Sequence, residues 1–122
     1  MKILIAEGDE MLLGVLAEKM EKSGYEVIRA ADGDGATSAL KEMPDLVLLD
    51  LQLPKRDGFA ILAAMKADEK LKAIPVIIFA NEGEDENVKK ALAMGAEDYL
   101  LKTQHTGSDV LEKVEKRLRG GA

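Results

Sequence analysis

The chain has 122 residues, of which 47% are hydrophobic and 33% charged, and its formal net charge is -6. That length suits one folded domain with its own core, and the composition is that of a globular protein, neither disordered nor membrane-embedded. The negative balance argues against direct binding to DNA or RNA, which relies on Lys and Arg neutralising phosphates. The absence of cysteine excludes disulfides, thiolate catalysis and Cys-ligated zinc.

In chain order, Ile3-Leu4-Ile5-Ala6 is apolar at every position, the pattern of a parallel strand covered on both faces. Glu7 cuts this run too short for a signal-peptide core or a membrane span, so no membrane segment and a cytoplasmic location are expected. Residues 10–23 then carry Leu12, Leu13, Leu16 and Met20 on one helical stripe, with Asp9 as N-cap and Gly24 as the stop. Val27-Ile28 forms a second strand whose polar flanks suit a sheet edge. Gly33-Asp34-Gly35 lacks the third glycine of a dinucleotide fingerprint and reads as a turn into a weaker helix over 35–43, ended by Pro44-Asp45.

Leu46-Val47-Leu48-Leu49 is the third strand, again apolar throughout, and residues 58–67 form a helix presenting Phe59, Leu62 and Met65 inward. Val76-Ile77-Ile78-Phe79 is the fourth, followed over 85–94 by a helix presenting Val88, Ala91 and Leu92 and stopped by Gly95. Tyr99-Leu100-Leu101 suits the other edge. The only histidine, His105, has no second ligand or triad partner and reads as a solvated loop position. The last helix runs from Ser108 or Asp109 to Arg119, with Val110, Leu111, Val114 and Leu118 at helical spacing and basic residues toward its C-terminus. Met20, Met43, Met65 and Met94 read as core filler.

This alternation predicts one (βα)₅ domain over 1–119 with a flexible tail at 120–122. The favoured arrangement is a doubly wound, flavodoxin-like parallel α/β sheet with strand order 2-1-3-4-5. In such sheets ligands bind beyond the carboxyl ends of the strands where the order reverses, here between strands one and three. Glu7 and Asp50 leave those strands, Lys102 leaves the fifth, and Ala80 and Asn81 leave the fourth. Two acids and a base are thereby expected at one crevice.

Four segments in sequence resemble the successive signatures of the response regulator receiver family. They are Lys2-Ile3-Leu4-Ile5-Ala6-Glu7, the stretch from Pro44-Asp45 through Asp50-Leu51-Gln52-Leu53-Pro54 to Asp57-Gly58, Ile74-Pro75-Val76-Ile77-Ile78, and Gly95-Ala96-Glu97-Asp98-Tyr99-Leu100-Leu101-Lys102. The resemblance spans essentially the whole chain and is most specific around Asp50. It implies a non-enzymatic signalling module in which Asp50 accepts a phosphoryl group from a histidine kinase or phosphotransfer protein. It further implies Mg²⁺ held by Glu7, Asp50 and the backbone carbonyl of Gln52, with Lys102 neutralising charge and Tyr99 as the switch aromatic. Output to a downstream protein would pass through the fourth helix, fifth strand and fifth helix.

Three positions depart from the family pattern. Gly8 replaces the second acid after strand one, leaving Asp9, an N-cap, as the nearest substitute metal ligand, so weakened Mg²⁺ binding is expected. Ala80 replaces the Thr or Ser whose hydroxyl bonds the phosphoryl group, a contact worth about 1.5–3 kcal/mol. The Ala80 gap also implies that the Tyr99 ring points inward without phosphate. Thr103 replaces a proline after Lys102, which implies a looser or longer following loop. Two readings result: a phosphorylated receiver, favoured by Asp50, Lys102 and Tyr99, and a phosphorylation-independent pseudo-receiver binding proteins, favoured by Gly8 and Ala80.

Overall fold

Residues 1–81 and 83–120 are described by the computed structural model, and among them five strands alternate with five α-helices. The strands are β1 (Lys2–Ala6), β2 (Glu26–Ala30), β3 (Leu46–Leu49), β4 (Val76–Ala80) and β5 (Asp98–Leu101). The helices are α1 (Glu10–Lys22), α2 (Gly33–Ala39), α3 (Gly58–Ala67), α4 (Asp85–Ala93) and α5 (Gly107–Leu118). All strand pairs are parallel and the order is β2-β1-β3-β4-β5, the predicted flavodoxin-like topology. None of the helices is long and apolar enough to cross a membrane among the described residues.

The continuous apolar runs are explained by helices on both sheet faces. Alternate side chains of β1 and β3 divide between two cores. Leu4, Val47, Leu49 and Ile78 pack with Ala36 of α2, with Ile61, Leu62 and Met65 of α3, and with Ala91 of α4. Ile3, Ile5, Leu46, Leu48 and Phe79 pack with Leu13, Leu16 and Met20 of α1 and with Val110 and Val114 of α5. Full burial of each Leu or Ile contributes about 1.5–3 kcal/mol, so the central strands carry much of the folding free energy.

The helix starts follow local side-chain chemistry. Asp9, Asp32 and Asp57 cap α1, α2 and α3 by accepting hydrogen bonds from the first-turn N–H groups. At α5 the cap is Thr106, in a capping box with Asp109, so this helix begins at Gly107, one residue before the earlier of the two expected starts. Gly24 and Gly95 follow α1 and α4 with φ of +95° and +105°, a conformation that disfavours any residue with a Cβ.

Four expectations are corrected. The helix expected over 35–43 starts at Gly33 and stops at Ala39; Leu40–Glu42 tighten into a 3₁₀ turn, and Met43 adopts φ +52°. Met43 is consequently 48% exposed and is not core filler. Leu92 is 45% exposed, because Ala91 is the residue of α4 that meets the sheet. His105 is half-buried, with Nδ1 3.1 Å from the Leu101 carbonyl oxygen; together with the Gln104 N–H donating to the same oxygen, it closes the loop after Lys102 into a turn. The tail positions Gly121 and Ala122 lie outside the described residues.

Candidate functional site

The parallel register brings the chemistry together. Ala6 of β1 lies opposite Leu49 of β3, so the next residues, Glu7 and Asp50, leave adjacent strands at the same level. Asp50 is tied there by its N–H, which donates to the Ala6 carbonyl at 2.9 Å, while the Glu7 N–H donates to Ala30 of β2 at 3.0 Å. Across the sheet, the Lys102 N–H donates to the Ala80 carbonyl at 2.8 Å, which places the lysine at the end of β5 facing the two acids.

The side chains close into one ionic cluster. Lys102 Nζ lies 2.8 Å from each Glu7 carboxylate oxygen and 3.1 Å from Asp50 Oδ2. Glu7 and Asp50 are 2% and 4% exposed, so both carboxylates are held out of bulk water with a single shared cation. Backbone donors complete the shell: the Asp9 N–H reaches Glu7 at 3.0 Å, the Gln52 N–H reaches Asp50 Oδ1 at 3.1 Å, and the Gly8 N–H lies 3.4 Å from Asp50 Oδ2. Among the described residues no buried side-chain polar atom lacks a partner. Burial pushes the Glu7 carboxyl above its ordinary range and the nearby Asp50 charge adds to that, while hydrogen bonds from Lys102 and the Asp9 N–H pull the other way.

Gly58 sets how closely α3 approaches Asp50. A Cβ at this position would overlap the Asp50 carbonyl oxygen and lie 2.7 Å from the Leu51 Cα, so only glycine allows the first turn of α3 to seat beneath the acid. The cluster opens into a cavity of about 440 Å³ that Leu12, Pro54 and Asn81 also line. The reading of Leu12 as a core position missed this, since helical periodicity cannot distinguish a core side chain from one bordering a crevice.

Residues 3–115 match the family described as the response regulator receiver domain. The chain belongs to the response regulator receiver family. It is 36% identical over 104 residues to the polar-differentiation response regulator DivK of Brucella ovis, covering 82% of each chain. It is 34% identical over 119 residues to the DNA-binding dual master transcriptional regulator RpaA of Synechocystis sp., covering 97% of this chain and 49% of RpaA. The chain thus spans about half or less of the first curated relatives it matches. Among solved structures, the BeF₃-activated receiver domain of Klebsiella pneumoniae RstA superposes with a TM-score of 0.87 at 31% identity, covering 98% and 99% of the two chains. The Mn²⁺-bound response regulator Rcp1 superposes with a TM-score of 0.82 at 28% identity, covering 94% and 91%.

Receiver domains hold Mg²⁺ or Mn²⁺ at the acidic pocket, and this receiver domain places oxygen donors there of the kind such an ion takes. A Cβ at Gly8 would lie 3.1 Å from the Gln52 carbonyl oxygen and 3.8 Å from Asp50 Oδ2, so those two oxygens face the gap that a longer side chain would enter. Glu7 is engaged with Lys102, and Asp9 Oδ1 accepts from the Met11 and Leu12 N–H groups at 3.0 and 3.2 Å. No group of three or more His, Cys, Asp or Glu side chains able to hold a metal occurs among the described residues. Asp50 and the Gln52 carbonyl are oxygen donors of the kind Mg²⁺ uses together with water and phosphate oxygens.

The other predicted residues lie nearby. Ala80 and Tyr99 line a second, smaller cavity beside the acidic one, and the half-buried Tyr99 packs against the core shared by α2, α3 and α4. Thr103 is exposed in the turn after Lys102.

Proposed function

We propose that Asp50 is the phosphoacceptor of this receiver domain and that the donor is a phosphohistidine on a histidine kinase or phosphotransfer protein. The observation supporting this reading is the pair of contacts from Lys102 to Asp50 and Glu7, which joins an otherwise costly buried carboxylate to a cation bordering an open cavity. An Asp50 carboxylate oxygen forms the new bond to phosphorus, the bond from phosphorus to the donor imidazole nitrogen breaks, and its electron pair leaves with that nitrogen. Lys102 follows the charge from the carboxylate to the phosphoryl oxygens, and Glu7 holds its ammonium in place meanwhile. Mg²⁺, when bound by Asp50 and the Gln52 carbonyl, supplies further neutralisation of the phosphoryl oxygens, and its binding is weak because Gly8 brings no carboxylate.

The domain acts as a cytoplasmic signalling module, not as a catalyst on a small substrate. Its output is a change in partner affinity at the face of α4, β5 and α5. Ala80 has no hydroxyl with which to bond a phosphoryl group at Asp50, so the response to phosphorylation is blunted.

A specific observation favours a second reading. Gly8 brings no carboxylate to the space facing the Gln52 carbonyl and Asp50, and Ala80 brings no hydroxyl, as a phosphorylation-independent pseudo-receiver would allow. Incubation with Mg²⁺ and acetyl phosphate, followed by intact mass measurement, separates the two. A gain of one phosphoryl group that is absent in Asp50→Asn is the expected result; no gain in the parent chain leaves the pseudo-receiver.

A further inference from the structure

A cavity of about 220 Å³ opens beside Ala80, walled by Leu51, Ala80 and the rings of Phe59 and Tyr99. An apolar cavity of about 150 Å³ is enough to bind benzene, so this one has room for one planar ring with a small substituent. Its remaining wall is polar. Gln52, Asn81 and Asn87 line it, and among the described residues none of these three side-chain amides makes a hydrogen bond. Each amide offers donors and an acceptor. Asp57 also lines the cavity, with Oδ1 accepting the Ala60 N–H at 2.9 Å, and Lys90 Nζ lies 4.3 Å over the Phe59 ring, so the charges beside the cavity offset each other and favour an uncharged ligand.

We propose that this cavity is a binding site for a small uncharged aromatic carboxamide, its ring between the apolar walls and its amide paired with the free side-chain amides. Aromatic rings favour offset or edge contacts with a bound ring, and amide pairing selects a ligand that both donates and accepts. The cavity shares Gln52 and Asn81 with the acidic site, so an occupant touches residues that also border Asp50. Binding itself does not depend on Asp50 being phosphorylated; only its effect on phosphoryl uptake rests on that reading.

The test is titration of the ¹⁵N-labelled full chain with benzamide and nicotinamide, with benzoate as the anionic counterpart. Saturable shifts confined to the amides around Ala80, Asn81 and Asn87 are expected for both carboxamides, and at least tenfold weaker binding for benzoate. Ala80→Thr, which narrows the cavity, and Asn87→Leu, which removes an amide, should each weaken binding while a thermal melt confirms that both variants are folded. Absence of saturable shifts with either carboxamide, or equal binding by folded Ala80→Thr, overturns the site. A repeat on Asp50→Asn separates the two proposals, since binding there should persist even if phosphoryl uptake is never observed.

Discussion

Gly8 faces the Gln52 carbonyl oxygen so closely that its missing Cβ would lie 3.1 Å away, with Asp50 Oδ2 at 3.8 Å. The position is thus aimed at the Gln52 carbonyl and the Asp50 carboxylate, and a longer side chain there would enter the space between them.

Gly8→Asp should therefore raise Mg²⁺ affinity by about 10-fold or more, the lower bound being the loss typical when even a supporting residue of a metal site is removed. The Cβ requires the Gln52 carbonyl to yield by a few tenths of an ångström, and a third carboxylate near Glu7 and Asp50 should lower stability in EDTA. Calorimetric titration with MgCl₂ and melts with and without EDTA measure both. Equal Mg²⁺ affinity in parent and variant would show that a carboxylate at position 8 does not reach the ion.

Lys102→Met should cost about 3–5 kcal/mol, because it leaves two buried carboxylates facing each other without their shared cation. Asp50→Asn in the same chain should recover a substantial part of this by removing one of the two charges. A double-mutant cycle by urea unfolding reads the coupling. Additive losses would show that the 3.1 Å contact from Lys102 to Asp50 carries no interaction energy.

The raised carboxyl of Glu7 has a defined signature in pH. A group whose folded pKa lies above its unfolded value contributes stability that is complete below the unfolded carboxylate pKa and disappears as pH rises through the folded one. Glu7→Gln removes that dependence while keeping an acceptor for Lys102. Its stability relative to the parent should consequently be greater at pH 8 than at pH 4, as urea midpoints across that range will show; a difference constant with pH would contradict the assignment.

Gly58→Ala should destabilise by about 1–3 kcal/mol, the usual cost of forcing extra volume into packed structure. The obstruction is the backbone at Asp50 and Leu51, which cannot swing aside as a flexible side chain would. The same substitution should slow phosphoryl uptake by shifting Asp50. Denaturation and acetyl phosphate kinetics on one preparation test the two effects together.

Much of the fold was legible in residue order alone. The runs at Ile3 to Ala6, Leu46 to Leu49 and Val76 to Phe79 are apolar at every position, and only burial on both faces accounts for that. The strand order followed from the number of units, and Glu7 and Asp50 could be placed at strand ends because the first two runs stop abruptly at them, as Tyr99-Leu100-Leu101 stops at Lys102.

The pattern was weaker where a local preference competes with packing. Leu92 and Met43 fit a helical stripe, yet the backbone turned Met43 into the left-handed region and the sheet met α4 at Ala91. His105, apparently alone in sequence, found the Leu101 carbonyl because the chain turns back on itself there.

Composition and hydrophobic period are local quantities, and they determined the strands, the approximate helices and most of the buried faces. Lys102 lies 95 residues from Glu7 and 52 from Asp50, so their joining into one cluster depends on parallel register and the β1, β3, β4, β5 order. The tertiary structure alone decided that Lys102 is shared, that Glu7 turns toward it, and that Gly8 and Ala80 border two adjoining cavities. These are distances between side chains remote in sequence, and the packing of the sheet and its helices sets them.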